Sequence, residues 1–470
     1  MTSHGMTAAP SIVWLRDDLR VADNPALRAG VDRAAASGGG VVVLYLLDEA
    51  SPGIRPLGAA SRWWLHGSLT ALGDELEKLG GRLLLRRGAA ETELPRLVGE
   101  TGAGAVFWNR RYGASREVDA RLKSSLRGGD TADGAGAGIV VESFAANLLV
   151  EPWTVATAEG TPYRVFTPFW RAAQERPVRE VVAAPREIPG HPQRLEGDEL
   201  DDWQLLPTRP DWAGGLREAW TPGEASAHRR LETFVTEHLA DYHRRDEPAV
   251  DATSRLSPHL RFGELSPVQI WHRVRGELTA AARRNAPKFL SEVGWREFNW
   301  NILFHSPDLA TKNFRPEFDA FPWDQPSPDD LAAWQQGRTG IPLVDAGMRE
   351  LWTTGVMHNR VRMVTASLLV KNLLIDWRVG EQWFWDTLVD ADEASNPANW
   401  QWVAGSGADA APYFRVFNPE LQAAKFDPAG EYLDRWVPER LSPEYPQPIV
   451  DLAESRREAL AAYEVVKAGR

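Results

Sequence analysis

A chain of 470 residues is longer than a single hydrophobic core ordinarily fills, so two domains are expected. Its 43% hydrophobic and 25% charged residues fit a water-soluble globular protein, and no apolar run reaches the ~18 residues of a membrane span. The absence of Cys excludes disulfides, thiolate metal sites and a cysteine nucleophile, while a formal charge of −12 argues against wholesale polyanion binding but permits a local basic groove. No basic segment precedes an apolar one at the N-terminus, so no secretory signal is expected and a cytoplasmic location is.

The first third alternates short apolar runs with amphipathic stretches. Ser11–Leu15, Val41–Leu47, Arg82–Leu85, Ala105–Trp108 and Ile139–Glu142 read as buried strands, and Ser61–Leu79 has helical spacing. Strands alternating with helices predict a parallel five-stranded sheet covered on both faces. No Gly-x-Gly-x-x-Gly follows the first strand, so the dinucleotide fingerprint is missing. Arg127–Gly138 reads as a surface loop. From Asn147 the chain is rich in Pro without periodicity, which predicts a connector over 147–205. Helical patterns then dominate, among them Ala225–Leu239 and Arg360–Trp377, and no internal repeat is present. The expected organisation is an α/β domain over 1–146, the connector, and an all-α domain over 206–470.

Several segments of the second half carry candidate chemistry. Tyr242 precedes Thr253-Ser254-Arg255-Leu256-Ser257, where hydroxyls, N–H groups and a cation stand before a helix. That set suits a diphosphate, and equally a plain helix cap. Glu292, Trp295 and Arg296 stand at i, i+3 and i+4 on the next helix and share one face. They serve either as an ion pair beside a core indole or as a hydrogen-bonding acid, a stacking plate and a phosphate clamp. Asn359, Arg360, Arg362 and Met363 open an apolar helix with the two guanidiniums on different faces. One is available for a buried pair with Asp390 or Asp392, the other for a polyanion. Asp390-Ala391-Asp392, Asn396 and Trp400-Gln401-Trp402 follow. Paired aspartates suggest a metal, but no further acidic or His ligands stand at metal-site spacing, so none is expected.

Trp occurs 21 times against 8 Tyr. A buried indole N–H needs a partner, so this usage signals an unusual core or a role for π-electrons. The runs TSRLSPHL, FLSEVGWREF, GIPLVDAGMRELWTTGVMHNRVRM, LLIDW, DADEASNPANWQW and DAAPYFRVFNP, in this order, resemble those of the photolyase–cryptochrome family. IVWLRDDLRVADNPAL is similar to that family's opening strand and loop. The resemblance covers essentially the whole chain.

The resemblance implies FAD folded into a U within the helical domain. Tyr242, Thr253, Ser254, Arg255, Leu256 and Ser257 would hold its diphosphate and ribityl chain. Asn359, Arg362, Asp390, Ala391 and Asp392 would surround its rings, with Arg362 paired to Asp390 and with Glu292 and Arg296 nearby. Asn396 would face flavin N5, where a neutral amide does not oppose the reduced ring. Met363 fits the cyclobutane-dimer repair class, and no His-x-x-x-His pair stands near position 358. Trp400, Trp377 and Trp323 would relay charge between flavin and surface, leaving Trp334, Trp383 and Trp385 to the core.

The implied activity is light-driven splitting of pyrimidine dimers in DNA by electron transfer from reduced FAD. A cryptochrome-type blue-light photoreceptor is the alternative. A stacked duplex hides the lesion, which must leave the helix, as photolyases require. Glu292, Trp295 and Trp402 would form its pocket. Arg245, Arg296, Arg360, Arg415 and Gln422, with Asn359 and Met363, would contact the DNA, and phosphate contacts position without reading sequence. In the α/β domain, Asn109 of VFWNRRY would contact an antenna chromophore, methenyltetrahydrofolate, with 8-hydroxy-deazaflavin as the alternative. A monomer without membrane association or an obligate protein partner is expected.

Overall fold

The computed structural model of the chain describes residues 9–128, 139–325, 327–410 and 414–468. Strands β1 (Ser11–Leu15), β2 (Val41–Leu47), β3 (Leu83–Arg87), β4 (Ala105–Asn109) and β5 (Val140–Phe144) form one parallel sheet in the order β3-β2-β1-β4-β5. Val13 of β1 lies opposite Val43 and Phe107 of its two neighbours. Every residue of β1, β2 and β4 is buried, which is why these strands read as unbroken apolar runs. Alternate residues feed two cores. Val13, Leu15, Val43 and Tyr45 pack with Trp63 and Trp64 of the Ala59–Lys78 helix on one side. Ile12, Trp14, Val42, Leu44 and Trp108 pack on the other. The edge strands β3 and β5 end two residues later than expected, through Arg86 and Arg87 and through Ser143 and Phe144, where the apolar runs have given out.

The strand order sets the carboxyl ends of β1 and β4 side by side, the place where open α/β sheets commonly hold ligands. Here an ion triple fills it. Arg16 donates to both oxygens of Asp119 at 3.1 Å, and Arg111 joins at 2.9 Å.

The segment expected as a connector contains a helix, Phe166–Gln174, with Phe166, Phe169, Trp170 and Ala173 buried. These residues follow the i, i+3, i+4, i+7 pattern that flanking prolines obscured. Trp295 of the Ala280–His305 helix stacks on Phe166 at 3.9 Å. Farther on, Ile188 joins the sheet core and the Pro189 carbonyl accepts the Val41 N–H at 2.7 Å. The segment is thus tied to both parts of the molecule.

Two helices predicted as continuous are interrupted. Ala225–Leu239 is α-helical over Glu224–Thr233 and widens into a π turn at Phe234–His238. Arg360–Trp377 is α-helical over Asn359–Ser367, widens at Leu368–Asn372, and stops at Leu374, whose φ is +51°. Asp376 then caps a new helix, Trp377–Thr387, by accepting the Arg378 N–H at 2.9 Å. The loop expected over Arg127–Gly138 lies outside the described residues from position 129, while Arg127 and Gly128 close the Ser115–Gly128 helix. No described helix is long and apolar enough to cross a membrane.

Candidate functional site

The Asp390–Asp392 turn gathers three distant pieces of chain. Asp392 accepts the N–H groups of Ala394 and Ser395 at 2.8 and 2.6 Å, starting the Ser395–Ala404 helix that carries Asn396, Trp400 and Trp402. At the other end of this helix, the buried Lys371 Nζ donates to the Ala404 carbonyl at 2.7 Å, and burial holds its pKa well below the usual lysine range. Asp390 accepts Arg362 Nη2 at 2.9 and 3.1 Å and the Ser257 hydroxyl at 2.7 Å. The Arg362–Asp390 pair is therefore present, and it draws Ser257 in. Arg261 donates to the Ala391 carbonyl at 2.8 Å and to Asp17, in the loop after β1, at 2.7 Å.

Thr253 and Ser254 are half-buried upstream of this cluster, and Arg255 is exposed with a φ of +49°. A left-handed non-glycine residue costs about 1–3 kcal/mol, a strain that marks functional turns. Tyr242 packs edge-on to Phe234 and Phe289 at 5.7 and 5.4 Å. Burial pushes its phenol up, which keeps it neutral.

Asn396 is 7% exposed. Its Nδ2 donates to the Glu381 backbone carbonyl at 3.0 Å and to the Glu381 carboxylate at 2.8 Å. No described residue donates to its Oδ1, so a buried amide keeps one acceptor for a ligand. That acceptor, the hydroxyls of 253–257 and the Arg362–Asp390 pair together fit the polar edge and phosphates of a flavin nucleotide. Among the described residues no group of His, Asp or Glu is arranged to hold a metal ion.

Glu292 and Trp295 lie one turn apart. Glu292, with a side chain 36% exposed, pairs with Lys288 at 2.6 Å and lies 3.8 Å from Arg245. Trp295 borders the same small cavity as Trp402, whose indole donates to the Asp409 carbonyl at 3.1 Å. Arg296 is engaged elsewhere, donating to the Asn147 carbonyl at 2.9 Å and lying 3.4 Å from Glu297. Glu297, absent from the sequence reading, is buried, accepts the N–H groups of Leu149 and Val150, and is pushed up to about 7 by burial.

Asp246, Arg360, Arg415, Gln422, Lys425 and Arg456 line an open groove of about 560 Å³. Four cations face one carboxylate there, a local reversal of the net charge. Arg360 pairs with Asp246 at 3.0 Å and approaches the Met363 sulfur at 4.0 Å. His358, also missed, links the rim: Nε2 donates to the Arg245 carbonyl at 2.9 Å and Nδ1 accepts the Arg360 N–H at 3.2 Å. Burial lowers its pKa to about 4, so it is neutral with the proton on Nε2. Asn359 is exposed at the head of its helix. The Ala411–Tyr413 part of DAAPYFRVFNP lies outside the described residues.

Trp400 and Trp377 are buried and Trp323 is partly exposed, and all three belong to one apolar cluster. Gly380 lets the Trp377–Thr387 helix touch the Trp400 ring, since a Cβ there would lie 2.1 Å from it. A bridge between Asp324 and Ile375 holds Trp323 near the start of the same helix. Trp377 donates its indole N–H to Asn313 at 2.9 Å, and Trp334 meets Trp400 edge-on at 6.2 Å. In the sheet region the Asn109 amide is wholly engaged. It donates to Asp18 at 2.6 Å and Asn24 at 2.8 Å, and accepts from Ala26 at 3.2 Å.

Residues 11–189 match the family model of DNA photolyase, and residues 289–442 match that of the FAD binding domain of DNA photolyase. The deoxyribodipyrimidine photo-lyase of Agrobacterium fabrum is 47% identical, over 98% of this chain and 99% of its own. The chain belongs to the DNA photolyase family. Cryptochrome-1 of Arabidopsis thaliana is 39% identical over 91% of this chain and 63% of its own length. The crystal structure of a bacterial class III photolyase from Agrobacterium tumefaciens matches with a TM-score of 0.91 at 46% identity, covering 99% of each chain. The region matching the photolyase FAD-binding model contains Glu292, Arg362, Asp390, Asn396 and the three tryptophans, while Tyr242 and Thr253–Ser257 lie before it.

Proposed function

We propose that this photolyase-family protein splits cyclobutane pyrimidine dimers in DNA with light, using FAD. One observation carries the reading: the Ser395–Ala404 helix holds three groups of different purpose. Asn396 presents an amide oxygen that no described residue engages, Trp400 packs into the indole cluster, and Trp402 borders the cavity that Trp295 lines. A single rigid element thus joins cofactor, electron relay and lesion wall.

FAD, when bound, supplies light absorption and the electron given to the lesion. The chain's own residues do the rest. Arg362 and Ser257 fix Asp390, which would stand at the ring edge, and Asn396 would offer its amide oxygen to N5. Trp323, Trp377 and Trp400, packed in one cluster, would carry an electron inward from solvent toward the cofactor. Trp295 and Trp402 stack the extruded bases, and Glu292 hydrogen-bonds them where charge develops. Arg245, Arg360, Arg415 and Gln422 take phosphates on either side. A cryptochrome-type signalling role has less support, because the plant relative is the less similar of the two.

A second, light-harvesting chromophore, methenyltetrahydrofolate or 8-hydroxy-deazaflavin, belongs to the same proposal. The engaged Asn109 amide leaves its contacts to neighbouring groups. The absorption spectrum of the purified protein tests this part through a band separate from those of flavin. For the main reading, protein loaded with FAD and chemically reduced should remove dimers from ultraviolet-irradiated oligothymidylate under blue light and not in the dark. Dimers that persist under light with reduced flavin bound would overturn it.

A further inference from the structure

The amide of Asn396 is governed from the sheet side of the molecule. Arg55, just before the Ala59–Lys78 helix, grips Glu381 with both nitrogens: Nη1 to Oε1 at 2.7 Å and Nη2 to Oε2 at 3.0 Å. The Glu381 side chain is 4% exposed and that of Arg55 is 25% exposed. Arg55 also donates to Gln382 at 2.8 Å and lies 4.0 Å over the Trp385 ring, so the guanidinium is fixed in plane and position. A carboxylate held on both oxygens by donors has nothing to donate.

This decides which end of Asn396 faces Glu381. Both partners of its Nδ2, the Glu381 carbonyl and the Glu381 carboxylate, only accept. Turning the amide over would set oxygen against oxygen at both contacts and lose two hydrogen bonds. The nitrogen must face Glu381, and the oxygen must face the other way. Without Arg55, the Glu381 carboxylate loses the two donors that hold its oxygens and is free to turn away from Asn396. Nδ2 then keeps only the Glu381 backbone carbonyl, and the hold on the amide's orientation is weaker.

We propose that Arg55 is a positioning residue for the flavin site: through Glu381 it locks Asn396 with its oxygen toward N5, and so favours the proton on N5 and raises the potential of the bound cofactor. This rests on the reading that Asn396 faces N5. An amide oxygen there accepts from N5–H and stabilises the protonated nitrogen, whereas an amide NH2 there would stabilise the bare one. The lock spans two regions far apart in sequence, so the docking of the sheet region on the Trp377–Thr387 helix becomes a determinant of flavin chemistry.

The test is the reduction potential of FAD bound to the full chain, measured by spectroelectrochemistry in wild type, Arg55→Met, Asn396→Ala and the double variant. Arg55→Met should make reduction at least tenfold less favourable, about 30 mV for the two-electron couple. Arg55→Lys, which keeps the charge but grips one oxygen, should give a smaller shift in the same direction, and it serves should the Met variant fail to hold FAD. If Arg55 acts through Asn396, its effect vanishes in the Asn396→Ala background. A simple charge effect would persist there undiminished. An unshifted potential in Arg55→Met, or the same shift in both backgrounds, overturns the proposal while the flavin reading stands. An unshifted potential in Asn396→Ala alone overturns both.

Discussion

Replacing Gly58 by Ala should loosen the seat of the sheet region on the Trp377–Thr387 helix. Gly58 has a φ of −68°, which alanine adopts without strain, so only space is at issue. A Cβ would lie 2.0 Å from the Trp385 carbonyl oxygen and 2.6 Å from Asp386 Cα. Both are main-chain atoms of a helix and cannot rotate away. Ordinary contacts lie near 3.5 Å, so the two backbones must part by more than about 1 Å. Two bonds cannot follow that movement: Trp385 Nε1 to the Pro56 carbonyl and the Ala59 N–H to Asp386, each now 2.9 Å. The long side chain of Arg55 can follow. Losing one neutral and one charge-assisted bond costs about 2–4 kcal/mol. An unfolding entropy of about 2.1 cal/mol/K per residue gives roughly 1 kcal/mol/K for 470 residues, so Tm should fall by about 2–4 °C. A thermal melt followed by flavin release measures it. An unchanged Tm would mean that the backbones do not approach as described.

Trp377→Phe should block photoreduction of oxidised FAD while leaving repair by chemically pre-reduced protein intact, since the indole packs in one cluster with Trp400 and does not line the cavity between Trp295 and Trp402; normal photoreduction would remove Trp377 from the route. Arg415→Ala should weaken binding of damaged DNA alike in all flanking sequences and flatten the salt dependence by about one phosphate. An unchanged slope of log K against log salt would place Arg415 off the DNA. Glu297→Gln should show a pH-dependent stability difference from wild type. Burial raises Glu297 from 4.5 to about 7, so its contribution to stability is full below the unfolded value and is lost as pH rises through the folded one. The shift is worth on the order of 3 kcal/mol, so between about pH 5 and pH 8 the Tm difference should move roughly 2–3 °C in favour of the variant. A difference that does not change with pH would refute the assignment.

The central sheet was legible because strands buried on both faces leave unbroken apolar runs, and Val41–Leu47 was placed to the residue. The Phe166–Gln174 helix was not, although its apolar spacing was present, because prolines on either side masked it. The break before Trp377 carries no Gly or Pro. It depends on Leu374 taking a positive φ and on Lys371 burying its amine, neither of which composition announces. At the site, the Arg362–Asp390 pair could be named because both ends lie in distinctive runs. The groups that aim these residues were invisible: Glu381 behind Asn396, Arg55 behind Glu381, and His358 between Arg245 and Arg360 are ordinary residues until the fold brings their partners close. Arg296 and Asn109 show the converse, since matching residue types had already found partners within the fold.

The Ser395–Ala404 helix is pinned at both ends, by Asp392 at its start and by Lys371 at its finish. Ten residues make a rod of about 15 Å. A base pressed against Trp402 therefore meets a strut rather than a hinge: the indole can yield only if the whole rod slides, and the grip of Glu381 on Asn396 opposes that slide. The wall does not mould itself to what enters. On the proposed reading, two fused pyrimidines set against Trp402 would meet a wall that does not yield, and the strain of a poor fit would pass along the rod to the amide at its far end.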